Sequence, residues 1–285
     1  MKIVIFGVGE IYNKSFKYIN LKDRIVAYID NNIEKQGREI SGIQVYCPDD
    51  ICKISYDKIV IMSDYLVEMK NQLIELGCER EKILSYVEYI ESQKKDIMQI
   101  YLPKIQKKNE EKCLIITSSL GYHGGAITAV YLALELIKRG YVAMVASSDG
   151  DQDFIDEFTE KGITFCIYSN LRFAKWEELV WVRDFQKIIV NTYPMMLCAI
   201  EIVKYKKVIV WLHESDIVYS SMEFWKDKIC ENVLNSNLYI YAVSDVARKN
   251  FIKNVKECNI ELLPYGIPDS KMRMVTKKDN LVFAI

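Results

Sequence analysis

The chain has 285 residues, half of them hydrophobic and 27% charged, enough to bury one large core or two ordinary ones. Its 38 lysines and arginines against 39 aspartates and glutamates leave a formal net charge of -1, so no global field attracts nucleic acid or anionic lipid. No apolar run approaches the roughly 18 residues of a membrane span, residues 1–10 show no basic region before a long apolar one, so no signal peptide is expected, and the eight cysteines contain no C-x-x-C pair. These features predict a cytoplasmic protein of two domains, with free thiols and no nucleic-acid partner.

Residues 2–6 (KIVIF) form a continuous apolar run, the pattern of a strand buried on both faces. Gly7 and Gly9 follow it, and a second run, 25–29 (IVAYI), ends at Asp30. In dinucleotide-binding folds the glycine turn approaches a pyrophosphate, and an acidic residue about 20 positions on accepts a ribose hydroxyl. Tyr12 stands where the third glycine of G-x-G-x-x-G would fall, and the helix expected over 13–21 is short. Nucleotide binding and a plain tight turn therefore both remain open for Gly7, Gly9 and Asp30.

Residues 42–46 and 58–62 read as further strands, and 66–76 as a helix closed by Gly77. Alternating strands and helices imply a parallel sheet. The segments IVIFGVGE, VAYIDNN, GREISGIQVYCPDDI, DKIVIMSD and QLIELGCEREKIL resemble, in order and spacing, the small Rossmann-like module attached to epimerases, acyltransferases and transferases of bacterial polysaccharide biosynthesis. The resemblance covers residues 1–90 and implies a capacity to bind NAD, a nucleotide or a nucleotide sugar. Residues 91–111 are rich in lysine and glutamate and predict a partly helical linker without a strand. Their interspersed acids favour a solvated face over contact with anionic lipid, which leaves peripheral membrane contact as the lesser reading.

The second unit opens on residues 112–140. A short apolar run turns through a loop holding Gly121, Gly124 and Gly125, after which Ile127, Val130, Leu134 and Ile137 recur at helical spacing. A helix beginning near Gly125 would aim its free N–H groups and positive dipole end at that loop, where phosphate is the usual occupant. Residues 141–147, 162–168, 187–190, 207–212, 238–243 and 260–264 read as strands, and 245–255 as a helix that Ser244 can cap. Asp149, Asp151 and Asp153 alternate, with Glu160 at the twelfth loop position, but Phe154 stands where a calcium loop needs glycine, so no metal site is expected. The only two histidines, His123 and His213, both fall in strand-end loops, where open α/β sheets bind ligands.

HGGA with its following helix, then KIIVNT, VIVWLHES, YAVSDVARKNFI and LPYGIPD, is similar in order and spacing to the N-terminal, acceptor-side half of family 4 glycosyltransferases of the GT-B fold. The resemblance covers residues 112–270. It implies two Rossmann-like parallel-sheet domains in tandem, the second being half of a GT-B enzyme. Such an enzyme moves a sugar, with retention of configuration, from a nucleotide-diphosphate donor to a glycan or lipid-linked acceptor in cell-surface polysaccharide biosynthesis, and needs no cofactor for transfer. Carried over, Gly124 and Gly125 face the donor diphosphate, His213 lies beside the transferred sugar as the catalytic residue, and Tyr122, His123, Asn191 and Glu214 line the acceptor side. Tyr265 replaces the asparagine usual before Gly266, and Glu214 replaces an aspartate common after the histidine. Residues 271–285 end in LVFAI, which resembles the first strand of the donor domain, so the expectation is a fragment inactive on its own. Two rivals stay open: a non-catalytic nucleotide or nucleotide-sugar binding protein, and an NAD-dependent oxidoreductase, for which no Y-x-x-x-K pair follows a suitable strand.

Overall fold

The computed structural model describes residues 1–94, 98–104 and 111–266. The expected donor-domain start at 271–285 and the end of the LPYGIPD motif lie outside the described residues. Within them the protein is α/β, with two mixed, mostly parallel sheets.

The first sheet is built from β1 (Lys2–Phe6), β2 (Arg24–Ile29), β3 (Glu39–Ile40), β4 (Ile43–Tyr46), β5 (Lys58–Ile61) and β6 (Ile83–Ser85), in the order β3-β4-β2-β1-β5-β6. All its pairs are parallel except the β3–β4 hairpin, which turns on Ser41 and Gly42, both at positive φ (51° and 78°). Positive φ at both central residues matches the right-handed twist of the flanking strands. Three helices accompany the sheet: α1 (Glu10–Ser15), α2 (Leu66–Glu75) and α3 (Tyr86–Ser92). The helix expected over 13–21 instead starts at Glu10 and stops after six residues, with a tighter 3-10 turn over Phe16–Tyr18.

The second sheet contains β7 (Met98–Tyr101), β8 (Lys112–Ile116), β9 (Val142–Ser147), β10 (Thr164–Tyr168), β11 (Lys187–Val190), β12 (Val208–Leu212), β13 (Leu238–Ala242) and β14 (Ile260–Leu262). Their order is β14-β13-β12-β11-β8-β9-β10-β7. Between them run α4 (Gly124–Lys138), α5 (Gln152–Glu160), α6 (Met196–Val203), α7 (Ile217–Ser220), α8 (Lys226–Asn232) and α9 (Asp245–Asn254). The stretch 91–111, expected to be a strandless linker, contains a strand among its described residues. The end of α3 lies in it, and β7 pairs antiparallel with β10, Ile100 opposite Cys166. Antiparallel edges at β3 and β7 make the sheets mixed rather than purely parallel. A short exposed strand such as β7 has no apolar periodicity to announce it, because only its pairing defines it.

Asp151 caps α5, its carboxylate accepting from Phe154 N at 2.9 Å, so the alternating aspartates belong to a helix start rather than to a calcium loop. The two sheets share one continuous apolar cluster, which takes Val4, Phe6 and Ile61 from the first and Leu114, Val190 and Leu212 from the second. Polar links reinforce it: Lys70 Nζ donates to Phe224 O at 2.7 Å and Trp225 Nε1 to Glu88 Oε2 at 3.0 Å. Among the described residues no helix is long and apolar enough to cross a membrane.

Candidate functional site

Strand order reverses twice in this molecule, at β1/β5 in the first sheet and at β8/β11 in the second. Each reversal sends the following loops to opposite sides and opens a crevice at the carboxyl ends of the strands.

At the first crevice, Gly7, Gly9 and Asp30 lie together on a cleft of about 640 Å³, with Met62 to Tyr65 from the end of β5 on the other side. Gly7 is required by its backbone: φ is +95°, and a Cβ there would approach Met62 O to 3.0 Å. Asp30 is buried and already engaged. Its Oδ2 accepts from Val8 N at 2.9 Å and from Lys35 Nζ at 3.1 Å, and its Oδ1 accepts from Asn32 N at 2.8 Å. A carboxylate has about four acceptor positions, so one is left for a ribose hydroxyl, while the bonds from Val8 and Lys35 tie β2 to the glycine turn. Tyr12, in place of the third glycine, is buried and shares a hydrogen bond with Tyr28, hydroxyl to hydroxyl at 3.0 Å.

At the second crevice the glycine loop, the end of β11 and the end of β12 form one connected edge. His123 is the N-cap residue of α4 and shares a hydrogen bond of 3.0 Å between its Nε2 and Ser119 Oγ. No acidic side chain occupies the first turn of α4, a fifteen-residue helix, so its dipole is unopposed there. Asn191 Nδ2 donates to Gly125 O at 2.8 Å, and a Cβ on Gly125 would meet Thr192 Cγ2 at 3.4 Å. Next along the chain, Tyr193 N donates to Glu214 Oε1 at 2.6 Å, and His213 N donates to Glu214 Oε2 at 2.9 Å. The His213 ring packs against both Trp211 and Tyr265, with ring centroids 4.6 and 5.6 Å away, and those two rings also meet each other at 6.1 Å. Tyr265, which replaces the expected asparagine, thus closes one side of the histidine.

Electrostatics follow from this packing. Burial pushes the His213 imidazole down to about 4, so the ring is neutral at pH 7. Burial also pushes the Glu214 carboxyl up to about 7 against the pull of the backbone N–H groups that it accepts from.

Four buried polar atoms on three neighbouring strands have no hydrogen-bond partner among the described residues: Thr117 Oγ1 after β8, Asn191 Oδ1 and Thr192 Oγ1 after β11, and His213 Nε2 after β12. Each such atom costs about 1–3 kcal/mol if nothing pairs with it, and the four stand at the ends of adjacent strands beside the glycine loop. Gly124, Gly125, His123, Asn191, His213 and Glu214 all belong to this edge. Tyr122 is the exception, because its hydroxyl donates to Glu157 Oε2 at 2.7 Å and its ring packs edge-on against Phe154, both on α5. Thr117, Thr192 and Trp211 were not singled out by sequence reasoning. Thr117 and Thr192 had a signal, being polar residues directly after apolar strand runs, whereas Trp211 looked like one more strand residue. Among the described residues no group of three or more potential metal ligands occurs.

A search of curated proteins found no match to the chain. Residues 1–84, which span nearly the whole first sheet, match the family model described as C2185-like, N-terminal.

Proposed function

We propose that residues 112–266 form the acceptor-side wall of a GT-B glycosyltransferase, acting in cytoplasmic assembly of cell-surface polysaccharide. The observation that carries this reading is the row of four unpaired buried polar atoms beside a glycine loop at the start of a long helix. In it the open amides at Gly124 and Gly125 and the α4 dipole favour the donor diphosphate. His213, neutral at pH 7, offers Nε2 to a sugar hydroxyl instead of acting as a proton donor of charge +1. Asn191, Thr192 and Thr117 position acceptor or sugar hydroxyls, and Glu214 holds the β11 and β12 ends together. Transfer with retention needs the donor's charge and the acceptor's hydroxyl in one closed cleft, with Gly124, Gly125 and His213 supplying this chain's part.

A second reading rests on the 640 Å³ cleft at Gly7, Gly9 and Asp30, and makes the chain a non-catalytic binder of a nucleotide or nucleotide sugar through its first sheet. Ligand-observed NMR with UDP- and GDP-sugars separates the two. Binding that weakens at least tenfold in Gly125→Val and His213→Ala supports the transferase reading. Binding that survives both and is lost in Gly9→Val moves the function to the first sheet, and no binding at all sinks both.

A further inference from the structure

Between the two sheets lies a cleft of about 540 Å³ that neither crevice includes. Seven cationic side chains and five acidic ones line it, a local surplus of positive charge in a chain whose net charge is -1. Its centre is Glu201, on α6, whose side chain is only 7% exposed. Three ammonium groups converge on this one carboxylate: Lys204 at 2.7 Å, Lys228 at 3.4 Å and Lys175 at 3.6 Å. One negative charge cannot neutralise three positive ones, so the group carries a surplus of about two charges at short range.

Three further features point the same way. Arg172 lines the cleft, and its Nε is buried with no hydrogen-bond partner among the described residues. Lys228 is held below the usual lysine range, first by burial and then by the charge of Lys175. A second, half-buried carboxyl of the cleft, Glu88, is pushed above the usual range by desolvation, which weakens its value as a counter-charge, and it already accepts from Trp225 Nε1.

We propose that this cleft is a second ligand site, taking a phosphate-bearing anion that Lys175, Lys204, Lys228 and Arg172 hold in competition with Glu201. Ammonium and guanidinium groups are the side chains that recognise phosphate, and a planar donor such as Arg172 Nε adds direction to their charge. The cavity volume falls within the range of small-molecule sites. The cleft walls come from α2, β6 and α3 on one side and from the loop after β10, α6 and α8 on the other, and the four cations of the site all stand on the second of these walls.

The test is titration calorimetry at low ionic strength with inorganic pyrophosphate as the probe. The expected result is saturable binding to the full chain, at least tenfold weaker in Lys175→Ala/Lys204→Ala and tighter in Glu201→Gln, which removes the competing carboxylate. The double variant alters side chains that are about half exposed and leaves Lys228 on Glu201, and the Glu201 variant reads in the opposite direction, so general unfolding cannot mimic both. Both variants alter only this cleft, so their opposite effects place the pyrophosphate here and not at the start of α4, which keeps this proposal separate from the transferase reading. Competition by a nucleoside diphosphate identifies nucleotide phosphates as the natural source, and its absence identifies the free ion; either supports the site. No saturable binding, equal binding in the double variant, no tightening in Glu201→Gln, or an equal effect of sulfate at matched ionic strength overturns it.

Discussion

His213 and Glu214 are adjacent in sequence and shifted in opposite directions by the same cause, burial at the end of β12. Glu214 has a folded value of about 7 above its ordinary 4.5, so its contribution to stability is full below about pH 4.5 and is lost as pH rises towards 7. His213 has a folded value of about 4 below its ordinary 6.5, so its contribution is full above about pH 6.5 and is lost as pH falls towards 4. The two slopes offset one another between about pH 4.5 and 6.5, and the native chain is expected to have nearly flat stability there. Glu214→Gln should unmask the histidine, with stability falling as pH falls. His213→Gln should unmask the glutamate, with stability falling as pH rises, by up to about 3 kcal/mol across its window. Urea midpoints measured across pH 4 to 8 check this, and parallel slopes in the two variants would refute it.

At the scale of elements, the crevice depends on how loops following different strands are fastened. The loop after β8 is pinned to the loop after β9 by a bridge between Leu120 and Gly150, with Asp151 N donating to Leu120 O at 2.9 Å. Gly150 is needed there for space. A Cβ would stand 2.9 Å from Ile155 Cδ1, 3.0 Å from Leu120 Cβ and 3.2 Å from Ile167 Cδ1. The D-G-D sequence is therefore explained by packing of the loop and capping of α5. Gly150→Ala is expected to cost about 1–3 kcal/mol, as overpacking does, and to raise amide exchange in the loop after β8. Chemical denaturation with hydrogen exchange measures both, and a neutral substitution would show that the bridge is dispensable.

At the scale of the molecule, the continuous apolar cluster joins the two sheets into one cooperative body. A single calorimetric transition is expected, and two well-separated ones would contradict a shared core. Trp225 is the residue to remove in a test: it is buried, packs its ring 5.2 Å from that of Phe173, and holds Glu88 across the boundary. Trp225→Ala should lower stability by about 3–5 kcal/mol and broaden or split the transition. The sequence by itself determined the strands with continuous apolar runs, the helix beginning near Gly125, the capping residue Ser244 and the glycines of both crevices. These are local facts, carried by burial on both faces, by helical periodicity and by backbone freedom. Only the tertiary structure decided that β7 completes the second sheet, that α6 is buried along its whole length with Glu201 amid three lysines, and that Thr117, Thr192 and Trp211 join His213 at one edge. Each of these depends on strand order and side-chain contact between residues far apart in the chain, for which no short-range pattern in the sequence exists.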